Sequence, residues 1–320
     1  MKPPFRITSK IVNLCSSISR IIGQCEGFKV FPPTPRLRRH NRIKTIHASL
    51  AIEGNILSES QVTDILDNKR VIGPAKDILE VKNAVEVYGK IKQYNVNSLK
   101  SLLLAHKTLM KDIAIDAGKL RSGNVGVMKG SKIIHMAPKY TQVPKLISDL
   151  FGFLKNEKEI HTFIKSSVVH YKLEFIHPFS DGNGRMGRLW QSAILINTYP
   201  VFEFIPLESL IKDKQKEYYE ALSTSDQKGE STVFIEFMLM IIKDAIEEFV
   251  KEIRTAPQTC KTRLASAVQH FAKVFFSRKE YMQFHKDISS ATASRDLLFG
   301  IKNKILKKSG CASLTRYKFI

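Results

Sequence analysis

Two apolar runs, Phe163 to Ile176 and Arg185 to Thr198, meet at His177-Pro-Phe-Ser-Asp-Gly-Asn-Gly-Arg-Met-Gly-Arg188, and this junction constrains the fold more than any other segment. The first run has apolar residues at 164, 168, 169, 171, 173, 175 and 176 and no Gly or Pro, the pattern of a mostly buried helix. Pro178 and Gly182 stop it. The second run meets no proline until Pro200, which predicts another apolar helix whose first turn is the Gly-Asn-Gly stretch. The expected class is therefore mainly α.

The same junction is suited to anions. A helix N-terminus with two glycines offers unpaired backbone N–H groups that phosphate oxygens can approach closely, here around Gly182 and Gly184. Asp181 is a hard oxygen ligand at the mouth of that nest, suited to a Mg²⁺ ion that also bridges phosphates. Arg185 and Arg188 lie three apart on one helix face and can grip phosphate oxygens bidentately. His177 ends the preceding helix, placed to take a proton from an incoming hydroxyl. Asn183 can orient a phosphate or complete the metal shell, while Phe179 packs the turn onto the core. These parts describe nucleotidyl or phosphoryl transfer to a hydroxyl. Reading His170, His177 and Asp181 as zinc ligands instead would leave both arginines unexplained and set two cations beside the metal.

His177 to Arg188 resembles the His-x-Phe-x-(Asp/Glu)-Gly-Asn-Gly-Arg-x-x-Arg motif of the Fic family at every fixed position. The resemblance implies a protein adenylyltransferase that moves AMP from ATP to a Ser, Thr or Tyr hydroxyl of a protein, itself included. It implies His177 as base, Asp181 as Mg²⁺ ligand, the backbone and Asn183 to Arg185 on the phosphates, and Arg188 on the γ-phosphate. Doc-like kinases of the wider superfamily carry Lys at the position of Gly184, so the glycine favours AMP transfer.

Ser49-Leu-Ala-Ile-Glu53-Gly54-Asn55 resembles the inhibitory-helix motif of the same family, Ser/Thr-x-x-x-Glu-Gly/Asn, and precedes the catalytic motif. Ile43, Ile46, Ala48, Leu50, Ala51 and Ile52 give a helix from about Pro35 to Glu53 an apolar face, with Gly54-Asn55 as its C-cap pair. Ser49 and Glu53 are four apart and share a face. The family implies that Glu53 reaches Arg188 and takes the room of the γ-phosphate.

Helical periodicity recurs in Ala75 to Gln93, Ser98 to Lys111, Val143 to Asn156, Asp213 to Leu222 and Thr232 to Arg254, and Ser58-Glu-Ser-Gln61 is a capping box opening a short helix to about Asp67. Asn124 to Met136 differs, with two short β-type runs around Lys129-Gly130-Ser131. The resemblance makes this hairpin the flap that pairs with the target backbone, through Val125, Val127, Ile133 and Ile134. It also matches Tyr218-Tyr219 to the helix on the adenine side.

The net charge of +21 suggests nucleic acid until it is located. Residues 1 to 46 carry ten Lys/Arg against Glu26, a net of +9, and residues 256 to 320 carry thirteen against Glu280, Asp287 and Asp296, a net of +10. The middle is nearly neutral. No Cys-x-x-Cys spacing links Cys15, Cys25, Cys260 and Cys311, so neither disulfides nor zinc are expected. No uncharged apolar stretch of spanning length and no signal-peptide core stand out, so a cytoplasmic protein without a membrane role is expected.

The basic C-terminus has its own pattern. Ser277 caps a helix, Ile288-Ser-Ser turns into a second from Ala291, and Ile305 to Phe319 alternates like a hairpin, an order that resembles the winged helix-turn-helix modules of some Fic proteins. Such a module would offer Thr292, Ser294 and Arg295 to nucleic acid, or serve protein docking or a homodimer. The expected organisation is an N-terminal helical region over 1–95, with the inhibitory helix at about 35–55, then a Fic-type helical bundle with its hairpin flap over 96–254, and a small winged-helix domain over 255–320. Two alternatives remain: a winged-helix regulator whose nucleotide site senses ATP, and a bifunctional enzyme in which Glu53 orients a water to remove AMP.

Overall fold

The computed structural model describes residues 3–27, 35–129, 132–255, 259–272, 274–286, 288–311 and 314–320. They divide into two compact units, residues 1–22 with 35–249 and residues 23–34 with 250–320. As expected, the protein is mainly helical, with fourteen α-helices and two small antiparallel sheets among the described residues.

In chain order the helices are α1 (Ser9–Gly27), α2 (Pro35–Ile52), α3 (Glu59–Leu66), α4 (Ala75–Gly89) and α5 (Leu99–Leu109). A hairpin of β1 (Gly126–Lys129) and β2 (Lys132–Met136) follows, then α6 (Val143–Asn156), α7 (Thr162–Ile176), α8 (Asn183–Thr198), α9 (Leu207–Asp213), α10 (Gln215–Lys228) and α11 (Thr232–Thr255). The centre of the larger unit is the α7–α8 pair, whose Phe163, Val168, Leu189 and Trp190 are fully buried. The two helices approach closely at Gly187, where a Cβ would stand 2.7 Å from the His170 ring. Helix α2 packs on α9, α4 and α8, which brings its C-terminus to the start of α8. Residues before α1 are latched to the α10–α11 junction: Ser231 N–H donates to the Pro4 carbonyl and Thr8 Oγ1 to Glu236.

Helix α3 opens with the predicted capping box of Ser58 and Gln61. Three helices, α1, α9 and α12 below, lie where no helix is expected from the sequence. The helix predicted over Asp213 to Leu222 is α10: a backbone break at Lys214 (φ −108°, ψ 36°) separates it from α9, and it runs on to a left-handed cap at Gly229. Its last stretch, Ser223 to Lys228, is polar and gives no apolar period to read. Likewise α4 ends at Gly89, and Ile91–Gln93 is a separate 3₁₀ turn.

The smaller unit contains α12 (Cys260–Phe271), α13 (Arg278–Phe284), α14 (Ser290–Lys302) and a hairpin of β3 (Leu306–Ser309) with β4 (Arg316–Phe319). Phe276 makes an isolated antiparallel bridge to Tyr317 beside that hairpin. Its core is Leu264, Phe276, Tyr281, Leu297, Leu306 and Phe319. The buried Asp296 accepts from Arg263 Nη2 at 2.8 Å and from the Tyr281 hydroxyl, so its charge is compensated. Cys15, Cys260 and Cys311 are free thiols. Among the described residues no helix is long and apolar enough to cross a membrane.

Candidate active site

His177 is the C-cap of α7, in the left-handed region at φ 49°, ψ 61°. Its ring Nδ1 lies 3.2 Å from the Glu174 carbonyl. A carbonyl only accepts, so the proton sits on Nδ1 and Nε2 is the basic nitrogen. Arg121, buried and outside every motif, fixes the backbone here. Its guanidinium donates to the carbonyls of His177 (2.7 Å), Ile176 (3.3 Å), Gly123 (2.7 Å) and Pro138 (2.5 Å), and its own N–H to Pro178. Gly123 and Pro138 flank the β1–β2 hairpin, so one side chain ties hairpin and histidine together. Arg121→Ala strands four carbonyls, and the free energy of unfolding is expected to fall by about 3 kcal/mol. Denaturant melts check this; a loss under about 1 kcal/mol would mean water replaces the guanidinium.

Asn183 closes the turn from both directions: Oδ1 accepts from Phe179 N–H and Nδ2 donates to the Phe179 carbonyl, each at 2.9 Å. With both amide atoms spent on the turn, the phosphate or metal role expected of this residue falls to its backbone. What Asn183 offers an anion is its backbone N–H at the first position of α8. Gly182 caps α8 at φ 84°, and a Cβ there would also meet Met110 Sδ at 2.8 Å. Phe179 is fully buried and stacks on His106 with centroids 3.7 Å apart. His106 Nδ1 accepts from Gly118 N–H, so Nε2 donates to the Asp181 carbonyl at 3.0 Å. Burial holds this ring below the ordinary histidine value, which suits a neutral brace.

Both arginines of α8 are buried, with different partners. Arg185 donates to Glu80 Oε1 (2.9 Å) and Asp181 Oδ1 (3.0 Å), and Asp181 Oδ1 also accepts from Gly182 N–H at 2.6 Å. The Asp181 side chain is half exposed at the mouth of the turn. Arg188, 1% exposed, donates through Nη2 to the Ser49 carbonyl and Glu53 Oε1, both at 2.8 Å, and through Nε to Ser49 Oγ at 3.2 Å. Burial opposes its charge, and Glu53 foremost offsets this, so the guanidinium stays ionised.

The end of α2 explains why Glu53 arrives there. Asn55 N–H donates to the Leu50 carbonyl and Gly54 N–H to Ala51, a Schellman cap with Gly54 at φ 92° and Glu53 as the C-cap residue just past Ile52. Asn55 Nδ2 then binds Glu80 Oε2 at 2.9 Å, so α2 also reaches Arg185 through Glu80. A Cβ on Gly184 would overlap a Glu53 carboxylate oxygen and stand 3.2 Å from Arg188 Nη1. A side chain at 184 would push the Glu53 carboxylate from the position it holds on Arg188.

Residues 97–195 match the Fic/DOC family. A solved Fic family protein from Desulfovibrio desulfuricans G20 is 38% identical, with a TM-score of 0.77, covering 100% of this chain and 98% of that one. The chain belongs to the Fic family. Among curated proteins, this Fic chain is 26% identical over 233 residues to the protein adenylyltransferase fic-1 of Caenorhabditis briggsae, covering 69% of this chain and 44% of that protein. It is 27% identical over 236 residues to the protein adenylyltransferase Fic of Nematostella vectensis, covering 70% and 52%. It thus spans about half the length of these curated relatives.

The other expected site residues of this Fic chain fall in three groups. Tyr218 is 1% exposed, with its hydroxyl 3.0 Å from His170 Nε2 and 3.2 Å from Glu174 Oε1, so its ring packs in the core. Tyr219, 39% exposed on the same helix, is the ring that remains open to a ligand. Val127, Ile133 and Ile134 lie on the β1–β2 hairpin, whose side chains are outside the described residues, and Val125 just precedes it. Thr292, Ser294 and Arg295 sit on α14 of the smaller unit. Ser294 Oγ accepts from Arg278, and Arg295 folds back toward Ala291 and Thr292. Sequence reasoning missed Arg121, Glu80 and His106, none of which stands beside a motif, and gave Asn55 its place in the C-cap but not its bond to Glu80.

Proposed function

We propose that this Fic protein is a protein adenylyltransferase, transferring AMP from ATP to a Ser, Thr or Tyr hydroxyl of a protein, itself included, and restrained by Glu53. The observation that carries the reading is the buried Arg188 whose partner Glu53 reaches it across Gly184 at 2.8 Å. A guanidinium so placed beside a helix N-terminus suits a phosphate, and a carboxylate on it is a direct competitor.

In the reaction, the target hydroxyl oxygen attacks the α-phosphorus of ATP and the bond to the β-phosphate's bridging oxygen breaks. Pyrophosphate leaves with the electron pair. His177 Nε2 takes the hydroxyl proton, its Nδ1–H steadied by the Glu174 carbonyl. The N–H groups opening α8 and Arg185 stabilise charge on the phosphates, and Arg188 takes the γ-phosphate once Glu53 withdraws. Asp181 fits Mg²⁺: its carboxylate is half exposed, and no cluster of three or more potential ligand side chains occurs among the described residues. An ion there would draw its other ligands from phosphates and water, as Mg²⁺ prefers. When bound, Mg²⁺ neutralises phosphate charge.

The β1–β2 hairpin is read as the flap that aligns the target, and the smaller unit, in the order helix, isolated bridge, helix, helix, hairpin, as a winged helix. Incubating Glu53→Gly protein in lysate with Mg²⁺ and ATP labelled at either phosphate tests the chemistry. Label from the α-phosphate should appear on protein and label from the γ-phosphate should not. Protein labelled from the γ-phosphate would make the chain a kinase and end this reading.

A further inference from the structure

The smaller unit holds a groove of about 670 Å³ between α13, the start of α14 and strand β4. Arg278, Lys279 and Lys286 line it with the hydroxyls of Ser290, Thr315 and Tyr317. No acid lines it, and none of its three cations has an ion-pair partner among the described residues. The unit's two described acids after residue 256 are already committed: Asp296 is buried against Arg263, and Glu280 accepts from Ser277 N–H at 2.6 Å and from Arg316 at 3.0 Å.

We propose that this groove binds the phosphodiester backbone of a nucleic-acid duplex. Protein-binding surfaces are depleted in lysine at their centre and anchored by apolar side chains, whereas nucleic-acid surfaces are strongly positive and polar. The groove is of the second kind, with three cations and three hydroxyls placed to donate to phosphate oxygens. It also relocates the contact expected from the sequence. Ser294 is already bonded to Arg278, and Arg295 lies along its own helix, so α13, Lys286, β4 and the first residue of α14 supply the phosphate contacts rather than the next turns of α14. Contacts of this kind set position and affinity and read no sequence. The inference is independent of AMP transfer.

The test uses the full chain without ATP. Anisotropy of a labelled mixed-sequence duplex is measured over salt from about 50 to about 200 mM, for wild type and for a triple Arg278→Gln, Lys279→Gln, Lys286→Gln variant. The slope of log affinity against log salt should flatten by about 2.7, near 0.9 for each lost phosphate contact, with at least a roughly tenfold loss of affinity. A control, Arg36→Gln with Arg38→Gln at the exposed start of α2, should leave binding unchanged, and melting curves of all variants should match wild type. Absence of duplex binding at low salt, an unchanged slope in the triple variant, or an equal loss in the control would overturn the proposal. So would binding to phosphatidylserine vesicles or polyglutamate in preference to the duplex.

Discussion

Glu53→Gly is expected to raise the rate of AMP transfer from ATP by roughly ten- to a hundred-fold, the range of a coupling energy of about 1–3 kcal/mol. The carboxylate holds Arg188 at 2.8 Å, and the guanidinium is almost wholly buried, so an incoming phosphate must first displace Glu53. Removing the side chain leaves a buried cation whose remaining acceptors are the carbonyl and hydroxyl of Ser49. That cost, several kcal/mol for a buried charge losing its partner, is relieved when a phosphate binds. Glu53→Gln should raise the rate less, because the amide keeps a hydrogen bond and loses only the charge. Initial rates of label transfer decide the matter; a rate unchanged in Glu53→Gly would remove the restraint.

His177→Asn in the Glu53→Gly background should lower the transfer rate by about 10²- to 10⁴-fold, the usual worth of a positioned general base. Asparagine is the informative replacement. It tolerates the left-handed φ of 49° at this cap, so lost activity reports lost chemistry and not a disturbed turn. Affinity for ATP should stay within about threefold of the parent, since the phosphate contacts come from α8 and not from the base. Transfer undiminished by the substitution would overturn the mechanism.

What the sequence revealed follows from which interactions are local. The stretch from His177 to Arg188 carries its own turn chemistry, and Ser49 to Asn55 its own cap, so both were legible and the structure brings them together. The residues that make them meet act over long distances. Arg121 spends its guanidinium on four backbone carbonyls, and a carbonyl leaves no mark on the identity of its residue. Glu80 links Asn55 to Arg185 from α4, yet in sequence it is one more charged residue in an amphipathic helix. Asn183 and Tyr218 show the converse. Each lies within or beside a recognisable motif, but packing commits the amide to Phe179 and the hydroxyl to His170 and Glu174. Helix α10 was read short because its second half is polar, and it is a left-handed Gly229, not apolar spacing, that sets its end.

The competition between Glu53 and the γ-phosphate for Arg188 is measured most directly by calorimetric titration of ATP and ADP into two proteins that differ only by Glu53→Gly, both carrying His177→Asn to stop turnover. ADP lacks the group that Glu53 is proposed to exclude. Substituting Glu53 should therefore tighten ATP by roughly tenfold or more and leave ADP within about twofold. An equal gain for both nucleotides, or none for ATP, would contradict the proposed competition.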